Sequence, residues 1–431
     1  MHIGEVKEER QVMHEFKYKG DELFCEDVGI GGIAAAVGTP FYLYSHRTLL
    51  DHYRKIREAF SEINPLICFS MKSNSSLAVL TALVKAGSGL DVVSGGELYK
   101  ALKVGCDSKK IVYASVGKTE REIENAIKAG ILFFNVESLP ELALIDKVSG
   151  KLGRTVDCTL RANPDVDPHT HKFITTGKAE NKFGLDFKTV EETFGGSLKY
   201  PHVRLRGIHV HIGSQITESG PFRKAIVKVG GLIAKIRKGG ARVDWLNIGG
   251  GLGIIYRKEH PQSAERFAKA VIPLIRKLDV RLILEPGRFI VGNSGILVAK
   301  VTYVKKTRSK NFVIVDAAMN DLIRPSLYDA YHEILPVIRK PVRRKVLADV
   351  VGPICETGDF LARDRKLPEF RSGELLAVMG AGAYGFTMSS NYNSRPRSAE
   401  VMVIHGRFYV VREREKYDDL IKGEAVPKEL R

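Results

Sequence analysis

The fold is decided by residues 75–105, which read SSLAVLTALVKAGSGLDVVSGGELYKALKVG. In residues 75–87, apolar side chains recur at spacings of three and four and the segment ends at a glycine, which is typical of an amphipathic helix. Residues 89–93 form a short apolar run that predicts a buried strand, and residues 95–105 return to the helical spacing. The stretch therefore predicts alternating strands and helices.

Eight short apolar runs continue this alternation along the first two thirds of the chain. They are residues 65–71, 89–93, 111–115, 132–136, 155–162, 205–211, 244–248 and 281–285. Eight strands alternating with helices predict an α/β fold, a closed parallel (β/α)8 barrel of the TIM type over residues 45–287. Such a barrel carries its chemistry at the carboxyl ends of its strands, so the residues after each run are candidates for a functional site.

The alternation of strand and helix patterns ends after residue 287. Segments such as GILVAKVTYVKK at 295–306 and AEVMVIHGRFYVVRE at 399–413 are strand-like and separated by turn residues, and a helical pattern is present only around 326–335. Residues 288–431 are therefore predicted to form a mainly β domain. Residues 1–44 contain the segment FKYKGDELFCEDV at 16–28, whose Gly20-Asp21 turn predicts a hairpin, and we expect these amino-terminal strands to join the β domain.

Composition excludes several classes of protein. The 431 residues are 44% hydrophobic and 27% charged, which indicates a globular chain with ample core and excludes disorder. No run approaches the roughly 18 apolar residues of a membrane span, and the first residues are charged, so we expect a cytoplasmic protein without membrane contact. The five cysteines are odd in number and form no C-x-x-C pair, which argues against a disulfide framework or a zinc ribbon.

The formal net charge of +17 raises the question of nucleic-acid binding. The densest basic segment, RKPVRRK at 339–345, lacks interleaved aromatic residues and a recognisable nucleic-acid module. We therefore interpret it as a solvated surface and predict no nucleic-acid partner, with a nucleic-acid binder kept as an alternative.

Polar residues collect at the predicted strand ends. Lys72 follows the first strand, His209 and His211 end the sixth, and Glu285 ends the eighth. The three glycines 249–251 follow the seventh strand, where barrels commonly bind phosphate and where backbone N–H groups without a neighbouring Cβ can approach an anion. The H-x-H pair could hold a metal, as in barrel hydrolases, but no third and fourth ligand stands beside it, so an imidazole stacked on a flat cofactor is the preferred interpretation and no metal is predicted.

Seven motifs together carry a resemblance to a known family. They are FSMKSN at 69–74, DVVSGGEL at 91–98, HVHIGSQ at 209–215, GGGLG at 249–253, EPGR at 285–288, CETGD at 355–359 and GAYGFTMSSNYN at 382–393. In this order the chain resembles the fold-type III pyridoxal-phosphate decarboxylases, from about residue 39 to residue 403. The resemblance implies an alanine racemase-like architecture, in which a barrel precedes a β domain, and pyridoxal 5'-phosphate as cofactor.

The resemblance also implies roles for individual residues. Lys72 is implied to form the Schiff base, His211 to stack on the cofactor ring, and Glu285 to keep the pyridine nitrogen protonated, so that the ring is a strong electron sink. We expect burial to favour the neutral, nucleophilic amine of Lys72. The groups implied to hold the phosphate are Ser214, Gly249, Gly250, Gly251, the backbone of Glu285, Pro286, Gly287 and Arg288, and the hydroxyl of Tyr384. Cys355 is implied to return a proton to the carbanion from the partner subunit of a homodimer, although a lone cysteine is ordinarily a small core residue.

The segment IRPSLYDAYH at 323–332 bears on the substrate. The resemblance implies that Arg324 and Tyr328 bind the distal end of an amino acid, and that Arg288, Glu356 and Tyr384 complete the substrate-binding set. A cation can bind a distal carboxylate and an acid can bind a distal ammonium group, so together they indicate a substrate with a second amino-acid group. We therefore predict decarboxylation of meso-2,6-diaminopimelate to L-lysine and carbon dioxide, the last step of lysine biosynthesis.

Other functions remain open from the sequence. A decarboxylase of the same fold could act on ornithine, lysine, arginine or a carboxy-polyamine. The remaining alternatives are a catalytically silent relative and a metal-dependent barrel hydrolase.

Overall fold

The computed structural model describes residues 14–167, 182–340 and 342–431, so residues 1–13 of the predicted amino-terminal piece lie outside it. The described part begins with a three-stranded antiparallel sheet, which turns at Gly20 in the left-handed region (φ +60°). Its elements, and those that lead into the barrel, are β1 (Phe16–Lys19), β2 (Glu22–Cys25), β3 (Val28–Gly29), α1 (Ile30–Val37) and β4 (Phe41–Ser45).

A closed parallel barrel follows, and the prediction of eight strands is confirmed. The strands are β5 (Leu66–Ser70), β6 (Gly89–Val92), β7 (Ile111–Tyr113), β8 (Phe133–Val136), β9 (Val156–Arg161), β10 (Val203–His209), β11 (Trp245–Asn247) and β12 (Arg281–Leu284). Each strand pairs with its neighbour in the chain, and β12 pairs with β5 to close the barrel. The observed ends differ from the predicted ones by no more than two residues.

Eight helices alternate with these strands. They are α2 (His46–Ala59), α3 (Leu77–Lys85), α4 (Gly95–Lys103), α5 (Glu120–Ala129), α6 (Leu139–Lys151), α7 (Phe187–Gly195), α8 (Gly220–Lys238) and α9 (Ala264–Leu278). Helix α5 shows why the sequence folds this way: Thr119 and Glu122 form a capping box at its start, and Gly130 ends it in the left-handed conformation. Its Ile123 and Ile127, four residues apart, are buried in the main core.

The remaining chain is mainly β. Its elements are α10 (Arg288–Val291), β13 (Gly295–Lys306), β14 (Asn311–Val315), α11 (Arg324–Tyr328), β15 (Ile334–Pro336), β16 (Lys345–Val351), β17 (Phe360–Pro368), β18 (Leu375–Val378), β19 (Ala399–Ile404), β20 (Arg407–Arg412) and α12 (Tyr417–Leu420). The main sheet has the order β17-β16-β14-β13-β4-β19-β20, and β18 pairs with β13 and β15. The amino-terminal strand β4 therefore lies between two strands of the carboxyl-terminal sheet.

The helical pattern predicted around 326–335 is wrong in its bounds. The helix there is α11, and Asp329 ends it because this residue takes the left-handed conformation (φ +50°). Ile334 is then buried as part of β15, where it pairs with Val378. Tertiary pairing, which the local pattern does not contain, decides the structure of this segment.

Short 3₁₀ turns complete the fold at Met71–Ser73, Ser108–Lys110, Ser197–Lys199, Phe386–Met388, Tyr392–Ser394 and Lys428–Leu430. The described residues include no helix that is both long and apolar enough to cross a membrane.

Candidate active site

A cavity of about 320 Å³ opens at the carboxyl ends of the barrel strands, and we call it the barrel cavity. Ten residues that the sequence predicted for the site line it: Lys72, His211, Ser214, Gly251, Glu285, Gly287, Arg288, Arg324, Tyr328 and Tyr384. They come from both the barrel and the β domain. The backbone joins these parts directly, because the N–H of Tyr384 donates to the carbonyl of Ser73 (2.8 Å) and the side chain of Asn74 donates to the carbonyl of Gly382 (3.0 Å).

Lys72 lies in the 3₁₀ turn directly after β5. Burial lowers the pKa of its ammonium group, but Asp91, Tyr384 and Glu285 outweigh burial, so the pKa is raised overall. Burial thus acts on this amine in the expected direction, but the neighbouring acidic groups together outweigh it.

Glu285 follows β12 at the floor of the barrel cavity. Its Oε1 accepts hydrogen bonds from the side chains of Asn135 (3.1 Å) and Asn247 (2.5 Å), and its Oε2 lies 3.4 Å from His209 Nε2. Burial raises the pKa of this carboxyl, but His209, the bond from Asn247 and Lys72 outweigh burial and lower the pKa to about 2. Glu285 is therefore a carboxylate, and its orientation is fixed.

Asp91 is the second buried acid beside Lys72. Burial and the charge of Glu285 raise its pKa well above its usual range. Its Oδ2 accepts a hydrogen bond from the Ser70 hydroxyl (2.7 Å). Two neighbouring buried acids rarely ionise together, so Glu285 ionises at a lower pH than Asp91 does.

His211 lies beside the three glycines 249–251. The Nδ1 of His211 accepts the N–H of Gly250 (3.3 Å), and burial, Lys72 and Arg161 lower the pKa of the imidazole well below its usual range. The N–H of Gly249 donates to Asn247 Oδ1 (2.8 Å). Two of the three glycine N–H groups thus bind protein side chains, and Gly251 is the one of the three that lines the cavity.

Arg288 and Arg324, which we call the arginine pair, are both nearly buried, with 7% and 6% of their surface exposed. Both donate to the hydroxyl oxygen of Tyr256, at 2.8 and 2.9 Å, and Arg288 Nη2 also donates to Ser214 Oγ (3.1 Å). Among the described residues, no Asp or Glu forms an ion pair with either guanidinium, and Arg288 Nε has no hydrogen-bond partner there. Buried cations without an acidic partner are costly, so this arrangement favours binding of anions.

Sequence reasoning missed several residues of the cavity wall. Ser70, Gln215 and Tyr331 stand inside or beside quoted motifs, so a closer inspection of those motifs could have found them. Tyr256 and Glu259 follow the glycine motif in an irregular loop and gave no signal. Burial raises the pKa of the Tyr256 phenol, but the arginine pair outweighs burial and lowers the pKa overall.

Other predicted residues do not line the cavity: Gly249, Gly250, Pro286, Cys355 and Glu356. Cys355 is the one exposed cysteine of the five, and its N–H donates to Asn393 Oδ1 (3.0 Å). Glu356 accepts a hydrogen bond from the hydroxyl of Tyr392 (2.7 Å). The loop that carries Cys355 and Glu356 is therefore outside the barrel cavity of its own chain.

The described part of the chain contains no group of three or more His, Cys, Asp or Glu side chains that could hold a metal ion. The two histidines of the H-x-H pair contact different residues: His209 lies beside Glu285, and His211 lies beside Gly250.

Fold and site together define a (β/α)8-barrel enzyme with a carboxyl-terminal β domain, in which a buried lysine, a carboxylate and two buried arginines surround one cavity. Residues 46–292 match the family described as pyridoxal-dependent decarboxylase, pyridoxal binding domain. The chain belongs to the pyridoxal-dependent decarboxylases, and pyridoxal 5'-phosphate is its cofactor. The resemblance read from the seven motifs is confirmed.

Relatives with high identity share one activity in their names. The chain is 47% identical over 407 residues to diaminopimelate decarboxylase of Aquifex aeolicus, which covers 94% of this chain and 96% of that protein. It is 46% identical over 416 residues to diaminopimelate decarboxylase of Vibrio cholerae, with 96% and 99% covered. The crystal structure of diaminopimelate decarboxylase from M. jannaschii in co-complex with L-lysine is 37% identical, covers 97% of this chain and 99% of its own, and has a TM-score of 0.92.

Proposed function

We propose that this protein decarboxylates meso-2,6-diaminopimelate at its D-configured centre and releases L-lysine and carbon dioxide. The observation that carries the proposal is the arginine pair, which is buried without an acidic partner among the described residues and lies in the same cavity as Lys72. One arginine suits the phosphate of the cofactor and the other suits a carboxylate of the substrate. The names of the relatives favour the same substrate.

The residues of the cavity fit pyridoxal phosphate. Lys72 would hold the cofactor covalently, and His211 would pack against its ring. The phosphate would meet Arg288, whose Nε has no partner in the described part of the chain, together with Ser214 and Gly251. Further proposed contacts are the hydroxyl of Tyr384 and the backbone of Gly287, which also line the cavity.

Pyridoxal phosphate supplies an electron sink for the electron pair that remains when the carboxylate leaves. Glu285 would face the ring nitrogen and hold a proton there. The two asparagine side chains and His209 support this role, because they keep Glu285 ionised and fixed in place. A neutral or mobile group at this position would lose that proton.

Arg324 and Tyr328 would bind the distal carboxylate of the substrate, and Arg288 and Tyr384, which would meet the phosphate, lie in the same cavity and would also contact the substrate. Cys355 would return the proton to the carbon that loses carbon dioxide, and Glu356 would bind the distal ammonium group. We propose that both act from the partner subunit of a homodimer, since they lie outside the cavity of their own chain and Cys355 is exposed. The cytoplasmic location and the absence of a nucleic-acid partner stay predictions from the sequence.

A product assay tests the proposal. Purified protein with pyridoxal phosphate is incubated with meso-2,6-diaminopimelate, and with ornithine, lysine, arginine and carboxyspermidine in parallel. We expect L-lysine and carbon dioxide in equal amounts from the first substrate and little turnover of the others. Absence of lysine, together with consumption of another amino acid, would overturn the substrate assignment.

A further inference from the structure

His332 lies behind the arginine pair, four residues after the end of α11, and none of its surface is exposed. Its Nδ1 is 2.8 Å from the carbonyl oxygen of Met379. A carbonyl only accepts, so Nδ1 carries the hydrogen. Burial, followed by the charge of Arg324, lowers the pKa of His332 to about 3, so the ring is neutral near pH 7 and its Nε2 is an acceptor.

That acceptor is directed at Arg324. The Nη1 of Arg324 lies 3.1 Å from His332 Nε2 and 2.9 Å from the hydroxyl oxygen of Tyr256. The rings of Tyr256 and His332 pack edge to face, with centroids 5.4 Å apart, so each of the two acceptors also packs against the other. Both hydrogens of Nη1 are therefore used, and this fixes the plane of the guanidinium.

The opposite edge of the same guanidinium has no such partners. Within the described part of the chain, neither Nε nor Nη2 of Arg324 makes a hydrogen bond, and Arg324 lines the barrel cavity. Nε and Nη2 form the pair of parallel donors that binds a carboxylate with two hydrogen bonds. Because Nη1 is fixed, Nε and Nη2 of Arg324 are held in place and are available to bind a carboxylate.

The chemistry of the acceptor also matters. An Asp or Glu at position 332 would hold Arg324 equally well, but its negative charge would offset the positive charge of the guanidinium and compete with a carboxylate ligand. A neutral histidine holds the same nitrogen and leaves the charge of Arg324 available.

We propose that His332 is a positioning residue that determines specificity for the distal carboxylate, because it fixes Arg324 with its Nε–Nη2 edge free for that group. The inference rests on the proposed function, in which Arg324 meets the distal carboxylate of meso-2,6-diaminopimelate. His332 itself does not touch the substrate.

Two substitutions separate this role from a purely structural one. In His332→Asn, the amide can replace Nδ1 and keep the bond to the Met379 carbonyl, but it is too short to replace Nε2. In His332→Gln, the longer side chain can place an oxygen near the position of Nε2 and accept from Arg324. The probes are L-lysine and 1,5-diaminopentane, which differ only by the carboxylate that Arg324 would bind. Both are measured as inhibitors of the holoenzyme with meso-2,6-diaminopimelate as substrate.

We expect wild-type enzyme to bind L-lysine more tightly than 1,5-diaminopentane. His332→Asn should raise the inhibition constant of L-lysine and the KM about tenfold, the size expected for loss of a hydrogen bond to a charged group, and leave kcat and 1,5-diaminopentane binding within about threefold. His332→Gln should keep the discrimination of the wild type. Absorbance of bound pyridoxal phosphate confirms that each variant is a folded holoenzyme.

Three results would overturn the inference: unchanged discrimination in His332→Asn, equal weakening of both inhibitors in that variant, or loss of discrimination in His332→Gln. If His332→Asn yields no holoenzyme, His332→Gln decides alone, because the inference requires it to discriminate. A wild-type enzyme that binds both inhibitors equally would instead contradict the proposed function, since the carboxylate would then have no binding group.

Discussion

The neutral, buried state of His332 predicts a measurable loss of stability in acid. The pKa is about 3 in the folded protein and about 6.5 in an unfolded chain. As the pH falls below about 6.5, the imidazole of His332 is protonated in the unfolded chain but not in the folded protein. The free energy of unfolding therefore falls between pH 6.5 and pH 3, and this effect levels off below that range. A pH of 5.0 lies about 1.5 pH units below the pKa of the histidine in the unfolded chain. At this pH the free energy of unfolding is therefore lowered by about 2 kcal/mol.

His332→Gln is the matched control, because glutamine does not titrate. The free energy of unfolding is measured with urea at pH 7.5 and pH 5.0 for both proteins. We expect the wild type to lose about 2 kcal/mol more than the variant between these pH values. All other titrating groups are common to both proteins and cancel in this comparison. Equal losses in the two proteins would refute a neutral, buried imidazole.

Three further predictions concern the barrel cavity and the assembly. Glu285→Gln should keep bound cofactor absorbance but lower kcat about 100-fold, from loss of about 3 kcal/mol of charge stabilisation; unchanged kcat would contradict its role. Gly250→Ala places a Cβ 2.2 Å from the backbone oxygen of Glu285, so the free energy of unfolding should fall by about 2 kcal/mol, and an unaffected stability would contradict the close packing. Mixing inactive Lys72→Ala and Cys355→Ala proteins should restore about a quarter of wild-type turnover, since half of the dimers are hybrids with one intact site; no recovery after demonstrated subunit exchange would exclude a shared site.

The barrel could be predicted from the sequence because each of its elements is encoded locally. Helix α5 carries its own start and stop signals at Thr119 and Gly130, and the strands are short continuous apolar runs, as strands buried on both faces should be. The segment 326–335 could not be predicted, because Asp329 takes a left-handed conformation and Ile334 finds a partner strand more than forty residues away. Neither event leaves a local pattern.

The sequence predicted those site residues that directly follow strands, such as Lys72 and Glu285, and those that belong to motifs of a known family. The electrostatics of the site could not be predicted. The pKa of Lys72 is raised by acidic groups that are far apart in the chain, since Asp91 lies in β6 and Glu285 directly follows β12. Tyr256 and His332 were missed for the same reason, since only the folded chain brings both of them to one nitrogen of Arg324.

The central claim is that the amine of Lys72 holds pyridoxal phosphate in the barrel cavity. Reduction of the holoenzyme with borohydride, followed by proteolysis and mass spectrometry, tests it directly, because reduction makes the bond between cofactor and lysine permanent. We expect one phosphopyridoxyl group per chain, on the peptide that contains Lys72, and no label in a folded Lys72→Ala variant, which should also be inactive. A label on another lysine, or full turnover by Lys72→Ala, would show that Lys72 does not hold the cofactor.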